Sequence, residues 1–355
     1  MFEKALTGSR KYWTWILCLS AIVFLGFLAY LRQLDVGLGI TGMSRDVTWG
    51  IYIAQFTFFV GVAASAVKVV LPYYLHNWQP ARILNVMFHP TPNSPMFWDM
   101  ISLGGYFLLN AVIALVTLSA ERKGIAPPQW IKPVIILSIP WAISIHTVTA
   151  FLYSGLPGRS FWLTAILAPR FLASAFASGP ALLILLCLLV RKLTGYDVGR
   201  DAIRKLAVIV TYGMLLNVFF LLMEIFTAFY SGIPEHREHF QYLFAGLEGH
   251  NALVPWMWTS VILAAVSIVL LVTPRIRNNE KAIPIICVIV FLSLWIDKGL
   301  GLIVGGFIPS PLGAITEYAP TVYEISITLG ILAIGFLMVT VFYKIALSIR
   351  EEYTR

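Results

Sequence analysis

Charge is scarce: Asp, Glu, Lys and Arg make up 12% of the 355 residues, about half the share of an ordinary soluble domain. That excludes a globular fold with a solvated surface on all sides. Cysteine is scarcer still. Cys18, Cys187 and Cys287 fall in three different apolar runs, with no CxxC and no CxxCH. The chain alone therefore offers no iron–sulfur ligand set and no covalent haem attachment. What fills it is apolar: 59% hydrophobic residues and a mean hydropathy of +0.83. Runs long enough to cross a hydrocarbon core of about 30 Å recur from end to end. Nine are apparent, roughly Trp13–Leu31, Trp49–Leu75, Phe97–Leu118, Lys132–Tyr153, Phe161–Val190, Ile203–Tyr230, Val254–Val272, Ala282–Ile303 and Tyr323–Leu347. Backbone polar groups in lipid must be satisfied within their own segment, so such runs predict an all-α polytopic membrane protein and not a barrel.

The first run is span-length and its flank lacks a small-residue cleavage site, so it is expected to stay as an anchor. The net charge of +8 is carried by loops between runs, which points to a membrane surface and away from nucleic acid. Arg191–Lys205 holds five basic and two acidic residues, Arg275 and Arg277 flank Ile276, and Arg122-Lys123 follows the third run. Those loops are expected in the cytoplasm. Ser231–His250, with Glu235, Glu238 and Glu248 against Arg237, and Val304–Thr321, with Glu317, are expected outside. Strict alternation over nine runs would then put the basic N-terminus, with Lys4, Arg10 and Lys11, outside, which suggests one helix too few near "YYLHNWQPARILN".

Polar residues inside the runs fall on helical faces. His146, Thr149 and Tyr153 share one, Asp99, Tyr106 and Asn110 another, Asn217 and Glu224 a third. Such stripes serve either as interhelical hydrogen-bond glue beside small residues like those of "ASAFASG" or as functional sites, the default for ionisable groups in a membrane. Asp297 and Lys298 are adjacent and point about 100° apart, so Lys298 is expected to snorkel outward. Arg170 follows Pro169, which predicts a broken helix whose freed carbonyls Arg170 satisfies, or an anion or partner site. Gly37, Gly39 and Gly42 match G-x-G-x-x-G, but no βαβ unit surrounds them, and a flexible outer turn is the better account.

The stretches "TGMSRDVTWGIYIAQFTFFVGVAASAVKVVLPYYLH", "HPTPNSPMFWDM", "IPWAISIHTVTAFLYSGLPG" and "FWLTAILAPRFLASAFASGPAL" resemble the NrfD/PsrC family of quinone-interacting membrane subunits, over nearly the whole chain. Within it they look most like the DsrP branch, from DsrMKJOP-type complexes of sulfur and sulfate metabolism. The family has ten helices; here Asn77-Trp78 runs directly into Gln79-Pro80, where one is expected. The resemblance implies one membrane domain over 1–355, with 13–31 as an additional helix, 49–190 as a first bundle carrying the quinone site, and 203–347 as a second. It implies location in the cytoplasmic (inner) membrane and a quinone such as menaquinone as substrate, with no covalently bound cofactor and no metal. Electrons would pass to or from a periplasmic iron–sulfur subunit, beside a multihaem cytochrome c and further membrane subunits.

In the ten-helix topology His146, Glu224, Asp297, Gln55, Tyr106 and Arg170 all fall in the outer half of the membrane. Quinone chemistry needs hydrogen-bond partners for two oxygens and a group that exchanges protons near neutral pH, for which histidine is suited. His146, Thr149, Tyr153, Tyr106, Gln55 and Arg170 are the expected quinone-binding residues. His146, Asp99 and Glu224 are the expected proton-exchanging residues, with Asp99, Glu224 and Asp297 forming a path outward. Ser154–Ser160, Ser231–Asn251 and Gly305–Thr321, with Arg82–Met96, are the expected docking loops for the electron carrier. Two alternatives stay open. A haem b quinol oxidoreductase needs two facing histidines, and only His146 is well inside a run. A secondary transporter would use Glu224, Asp297 and Arg170 as ion or substrate sites.

Overall fold

A computed structural model of the chain describes residues 8–65, 92–156, 158–194 and 199–353. Among these residues the long regular elements are all helices. They are α1 Arg10–Val36, α2 Ile51–Ser65, α3 Pro95–Arg122, α4 Ile131–Ser154, α5 Leu167–Thr194, α6 Arg200–Tyr230, α7 Pro234–Phe244, α8 Val254–Val272, α9 Ile283–Trp295 and α10 Val322–Tyr353. Eight are long and apolar enough to cross a membrane: α1, α3, α4, α5, α6, α8, α9 with its continuation, and α10. The short α7 is not one of them. Helix α2 reaches the edge of the described residues at Ser65, so the rest of the Trp49–Leu75 run lies outside them, as does the Trp78–Gln79 junction.

The ends of these helices follow from local chemistry. Ser9 caps α1 by accepting from the Tyr12 amide, and proline opens α7, α8 and α9, where a missing N–H is not needed. Thr321 and Glu324 form a reciprocal capping box on α10: the Thr321 amide donates to Glu324 Oε2 at 2.9 Å and the Glu324 amide to Thr321 Oγ1 at 3.4 Å, two orphan donors satisfied by one pair. Gly37 ends α1 at φ 84°, its amide donating to the Gln33 carbonyl at 2.8 Å, which gives the first glycine of the G-x-G-x-x-G match a helix-ending use.

Two expectations change. The fifth apolar run begins as an irregular stretch around Ser160–Trp162, and α5 starts only at Leu167. Pro169 therefore sits in a first turn, where proline is tolerated, and not at a break. After Trp295 the ninth helix widens into a π-helix over Ile296–Val304, a winding often found at functional sites.

The helices cluster into two compact units. One comprises residues 1–42, 67–145 and 320–355. In it α1 and α10 run antiparallel: Trp15 Nε1 donates to Thr340 Oγ1 at 3.2 Å, and the Gly42 amide donates to Glu324 Oε2 at 2.7 Å. Between these ends a Cβ on Gly26 would lie 2.9 Å from Gly330 Cα, the close approach that small residues permit. In the same unit Trp141 Nε1 donates to the Ser102 carbonyl at 2.7 Å.

The other unit comprises residues 43–66 and 146–319. Here α5 packs on α2, α6 and α9. One end of its core is aliphatic, around Ala181, Ile184, Met214, Ile286 and Val290. The other end is aromatic, around Tyr153, Trp162, Phe171, Tyr242 and Phe307.

Candidate functional site

The aromatic end builds the site's ceiling. Trp162 is anchored by Nε1 to the Leu302 carbonyl at 2.8 Å and stacks with Trp49 at 5.5 Å between centroids. Tyr153 meets Trp49, Trp162 and Phe171 edge-on, an arrangement that aromatic quadrupoles favour. This fixes the Tyr153 hydroxyl against Thr57 Oγ1. Thr57 gives its own hydrogen to the Ile53 carbonyl at 2.9 Å, so Tyr153 is the donor in that pair.

Below lies a small polar cavity lined by Thr57, His146, Thr149, Ser174, Ser178 and Lys298, with Phe58, Val60 and Phe171 as apolar walls. About 10 Å³ is open to the centre of a water molecule, room for about one water. Its hydroxyls are oriented by their own backbones: Ser174 donates to the Phe171 carbonyl and Ser178 to the Ser174 carbonyl, both at 2.8 Å. Their lone pairs alone remain for the cavity.

Beside it is a buried ion cluster. Arg170, 2% exposed, donates through Nη1 to Glu224 and through Nη2 to Asp297 Oδ1 at 2.6 Å. One guanidinium faces two carboxylates, and the nearby Lys298 forms no ion pair with either within 4.0 Å. The match is incomplete at the level of atoms. Arg170 Nε, Glu224 Oε1, Asp297 Oδ2, Asn217 Oδ1 and Lys298 Nζ are buried without a hydrogen-bond partner. Lys298 Nζ instead lies 4.5 Å from the centre of the Phe171 ring, a cation–π contact.

His146 and Thr149 thus meet in one cavity, with Tyr153 next to it through Thr57. Arg170, Glu224 and Asp297 meet in one cluster. Gln55 is engaged elsewhere, its Oε1 accepting from Trp295 Nε1 at 3.0 Å. Asp99 and Tyr106 lie on α3 in the other unit, where Asp99 is buried and the Tyr106 carbonyl accepts from Asn110 at 2.8 Å. Lys298 corrects an expectation: it does not snorkel but is 2% exposed, because the π-helix turns it inward toward Phe171. Arg170 does the work neither of freed-carbonyl partner nor of a free anion site; it pairs two carboxylates. Sequence reasoning misses Ser174 and Ser178 as cavity residues. A signal for them exists: Arg170, Ser174 and Ser178 repeat at intervals of four, one helical face.

Loops at the same end close over the aromatic core. His239 on α7 is buried, its Nδ1 2.8 Å from the Ile308 carbonyl and its Nε2 3.3 Å from Ser160 Oγ. Burial lowers its pKa from 6.5 to about 4, helped by nearby Arg159 and His236 and opposed by the backbone bonds to Ile308 and Gly305. Arg159 donates to the Phe307 carbonyl at 3.0 Å and the Asp46 carbonyl at 2.9 Å, and Glu317 accepts from the Ala252 amide at 2.8 Å.

Among the described residues, stacked apolar helices with charges at a buried cluster and near helix ends define an integral, multi-pass membrane protein. The family model described as "Polysulphide reductase, NrfD" matches residues 74–307, and the chain belongs to that family. It is 25% identical to the putative dimethyl sulfoxide reductase membrane subunit of Halobacterium salinarum, covering 92% of this chain and 89% of the relative. To the Hdr-like menaquinol oxidoreductase integral membrane subunit of Archaeoglobus fulgidus it is 24% identical, over 99% of this chain and 97% of the relative. A selenate reductase subunit of Mesobacillus selenatarsenatis is 18% identical over 91% of each. The Archaeoglobus alignment runs over 395 positions, so at least 40 have no counterpart among these 355 residues.

Proposed function

We propose that this chain is the quinone-reactive subunit of an electron-transfer complex in the cytoplasmic membrane, exchanging electrons between menaquinone and an iron–sulfur subunit on the outer face. Family membership and the names of the relatives, one of them a menaquinol oxidoreductase subunit, support the substrate class. The observation that carries the reading is His146, an ionisable ring 4% exposed on a membrane-spanning helix, facing a polar cavity beside a buried ion cluster. A quinol gives up two protons with its two electrons, and an apolar interior needs a built acceptor for them.

Because the cavity has room for a water and not for a quinone ring, His146 is assigned the boundary: it accepts a hydrogen bond and then a proton from quinol on one side and faces the cavity on the other. Thr149, one turn on, steadies the same face. Tyr153 acts through Thr57, shaping the wall. Glu224 and Asp297 take protons outward, Arg170 holding both in place. The loops carrying Ser160, His239, Phe307 and Glu317 form the docking face for the iron–sulfur partner. A DsrMKJOP-like assembly of sulfur metabolism, with a multihaem cytochrome c, is the finer form of the proposal, supported by the sequence resemblance.

The test is anaerobic addition of menadiol to the complex purified through this chain. Reduction of a co-purifying iron–sulfur subunit, followed by its electron paramagnetic resonance signal, is expected. Absence of any redox partner, together with solute uptake by vesicles containing the chain alone, would replace the proposal with a transporter.

A further inference from the structure

Of the two ionisable side chains that line the cavity, His146 and Lys298, only His146 has a part in the proposed quinol chemistry. Lys298 Nζ is buried and has no hydrogen-bond partner, which is expensive for a cation unless something else meets it. The Phe171 ring meets one side of it at 4.5 Å, and the cavity opens on it with space for about one water. The cavity's chemistry selects what that molecule is. Ser174 and Ser178 have given their hydrogens to backbone carbonyls and Thr57 to Ile53, so three hydroxyls present lone pairs only. A small anion such as chloride would face those lone pairs and is disfavoured. A water, which donates to lone pairs and accepts from an ammonium, is satisfied on all sides. His146 lines the same space.

The neighbouring Arg170 cluster holds two free acceptors, neither of them in an ion pair with Lys298 within 4.0 Å, so that transfer to them requires the Lys298 side chain to swing from Phe171. Glu224 Oε1 and Asp297 Oδ2 are buried without partners, each on a carboxylate whose other oxygen is held by Arg170. Arginine keeps its proton under all ordinary conditions, whereas lysine exchanges its own. Among the basic side chains of the cluster, only Lys298 can therefore both neutralise charge and move a proton.

We propose that Lys298 and a single cavity water form a proton relay that empties His146 toward Glu224 and Asp297. The proposal rests on the reading of His146 as the acceptor of a quinol proton. Quinol loses two electrons to the iron–sulfur partner and two protons. A proton passes from quinol to His146; the Lys298 ammonium releases one of its protons to a free carboxylate oxygen, and the amine so formed is refilled from His146 through the water, so that His146 is reset to take the second proton by the same route. Lys298 never touches the quinol; it acts through His146.

The test compares Lys298→Met and Lys298→Arg in the purified complex, following menadiol-driven reduction of the iron–sulfur subunit from pH 6 to 9. Arginine keeps the positive charge and the contact with Phe171 but cannot pass a proton on. The relay predicts that both variants are slowed at least tenfold at pH 7, and that their rates climb with pH while the wild-type rate is nearly flat. A wild-type rate and pH profile in Lys298→Arg would reduce Lys298 to a structural charge and overturn the relay; so would a wild-type rate in Lys298→Met. His146→Phe run alongside separates the two claims. If it is inactive while the lysine variants are normal, only the relay fails; if it is as fast as wild type, the reading of the site fails. Should either variant not assemble, infrared difference spectra of the unmodified complex decide. With lysine labelled by nitrogen-15, a menadiol-induced shift of an ammonium band is expected, and its absence overturns the proposal.

Discussion

Arg170 shows how much a single side chain holds in a membrane interior. It is 2% exposed between two carboxylates that are 7% and 5% exposed. Removing one partner of such a buried set leaves charge uncompensated, typically at about 3–5 kcal/mol. Arg170→Ala is accordingly expected to lower the thermal midpoint in detergent sharply, or to prevent assembly, while Glu224→Gln, which keeps shape and hydrogen bonding, is expected to assemble and lose activity. Equal melting of Arg170→Ala and wild type would contradict this. His239 makes a second prediction, now from the loop end. Its folded pKa of about 4 lies below the unfolded value of 6.5, so the unfolded chain takes up the proton first as pH falls. The stability it supports is complete above about pH 6.5 and is lost progressively toward pH 4, by an amount on the order of 3 kcal/mol. Hydrogen exchange of residues 234–244 and 305–310 is expected to accelerate over that window in wild type and much less in His239→Gln.

At the scale of elements, close helix approach is the main determinant, and it yields a paired prediction. A Cβ on Gly213 of α6 would lie 2.7 Å from the Ala177 amide nitrogen of α5, a backbone atom that cannot yield. A Cβ on Gly299 meets nothing nearer than 3.6 Å. Gly213→Ala is expected to destabilise by about 1–3 kcal/mol through overpacking and Gly299→Ala to be tolerated, read from thermal inactivation of the purified protein; the reverse order would refute the packing account. Eight spans are legible in the sequence because hydropathy reports them directly. The start of α5 is not, since Phe161 and Trp162 are as apolar as a helix although they fold back as the ceiling over Tyr153. Nor is the direction of Lys298. A reading at 100° per residue separates it from Asp297, and nothing in "LWIDKGLG" announces the wider winding over Ile296–Val304 that turns both inward. Stripes are easier: His146 and Thr149 pair by spacing alone, and Ser174 and Ser178 follow the same rule, hidden by their usual role as small packing residues.

At the scale of the molecule, charge and contact agree within the unit that carries the site. Arg191 and Arg200 converge on Glu280 at 2.9 and 2.7 Å, joining the two basic loops, while Ser160, His239, Ile308 and Glu317 gather the loops of the opposite set. A cysteine placed at exposed Asn278 is expected to be shielded from a membrane-impermeant thiol reagent in intact cells, and one at exposed Glu248 to be labelled; the opposite pattern would invert the assigned sides. The interleaving of the units along the chain, with α1 paired to α10, has no signature in hydropathy, because every face of such helices is apolar. The proposed role of His146 is that quinol loses a proton to it inside the membrane. Phenylalanine in its place keeps a ring of similar volume and removes both nitrogens. The deciding measurement is the rate of menadiol-driven reduction of the iron–sulfur subunit in the assembled His146→Phe complex from pH 6 to 8. The account predicts normal assembly with a rate lowered about a hundredfold or more; a wild-type rate across that range would contradict it.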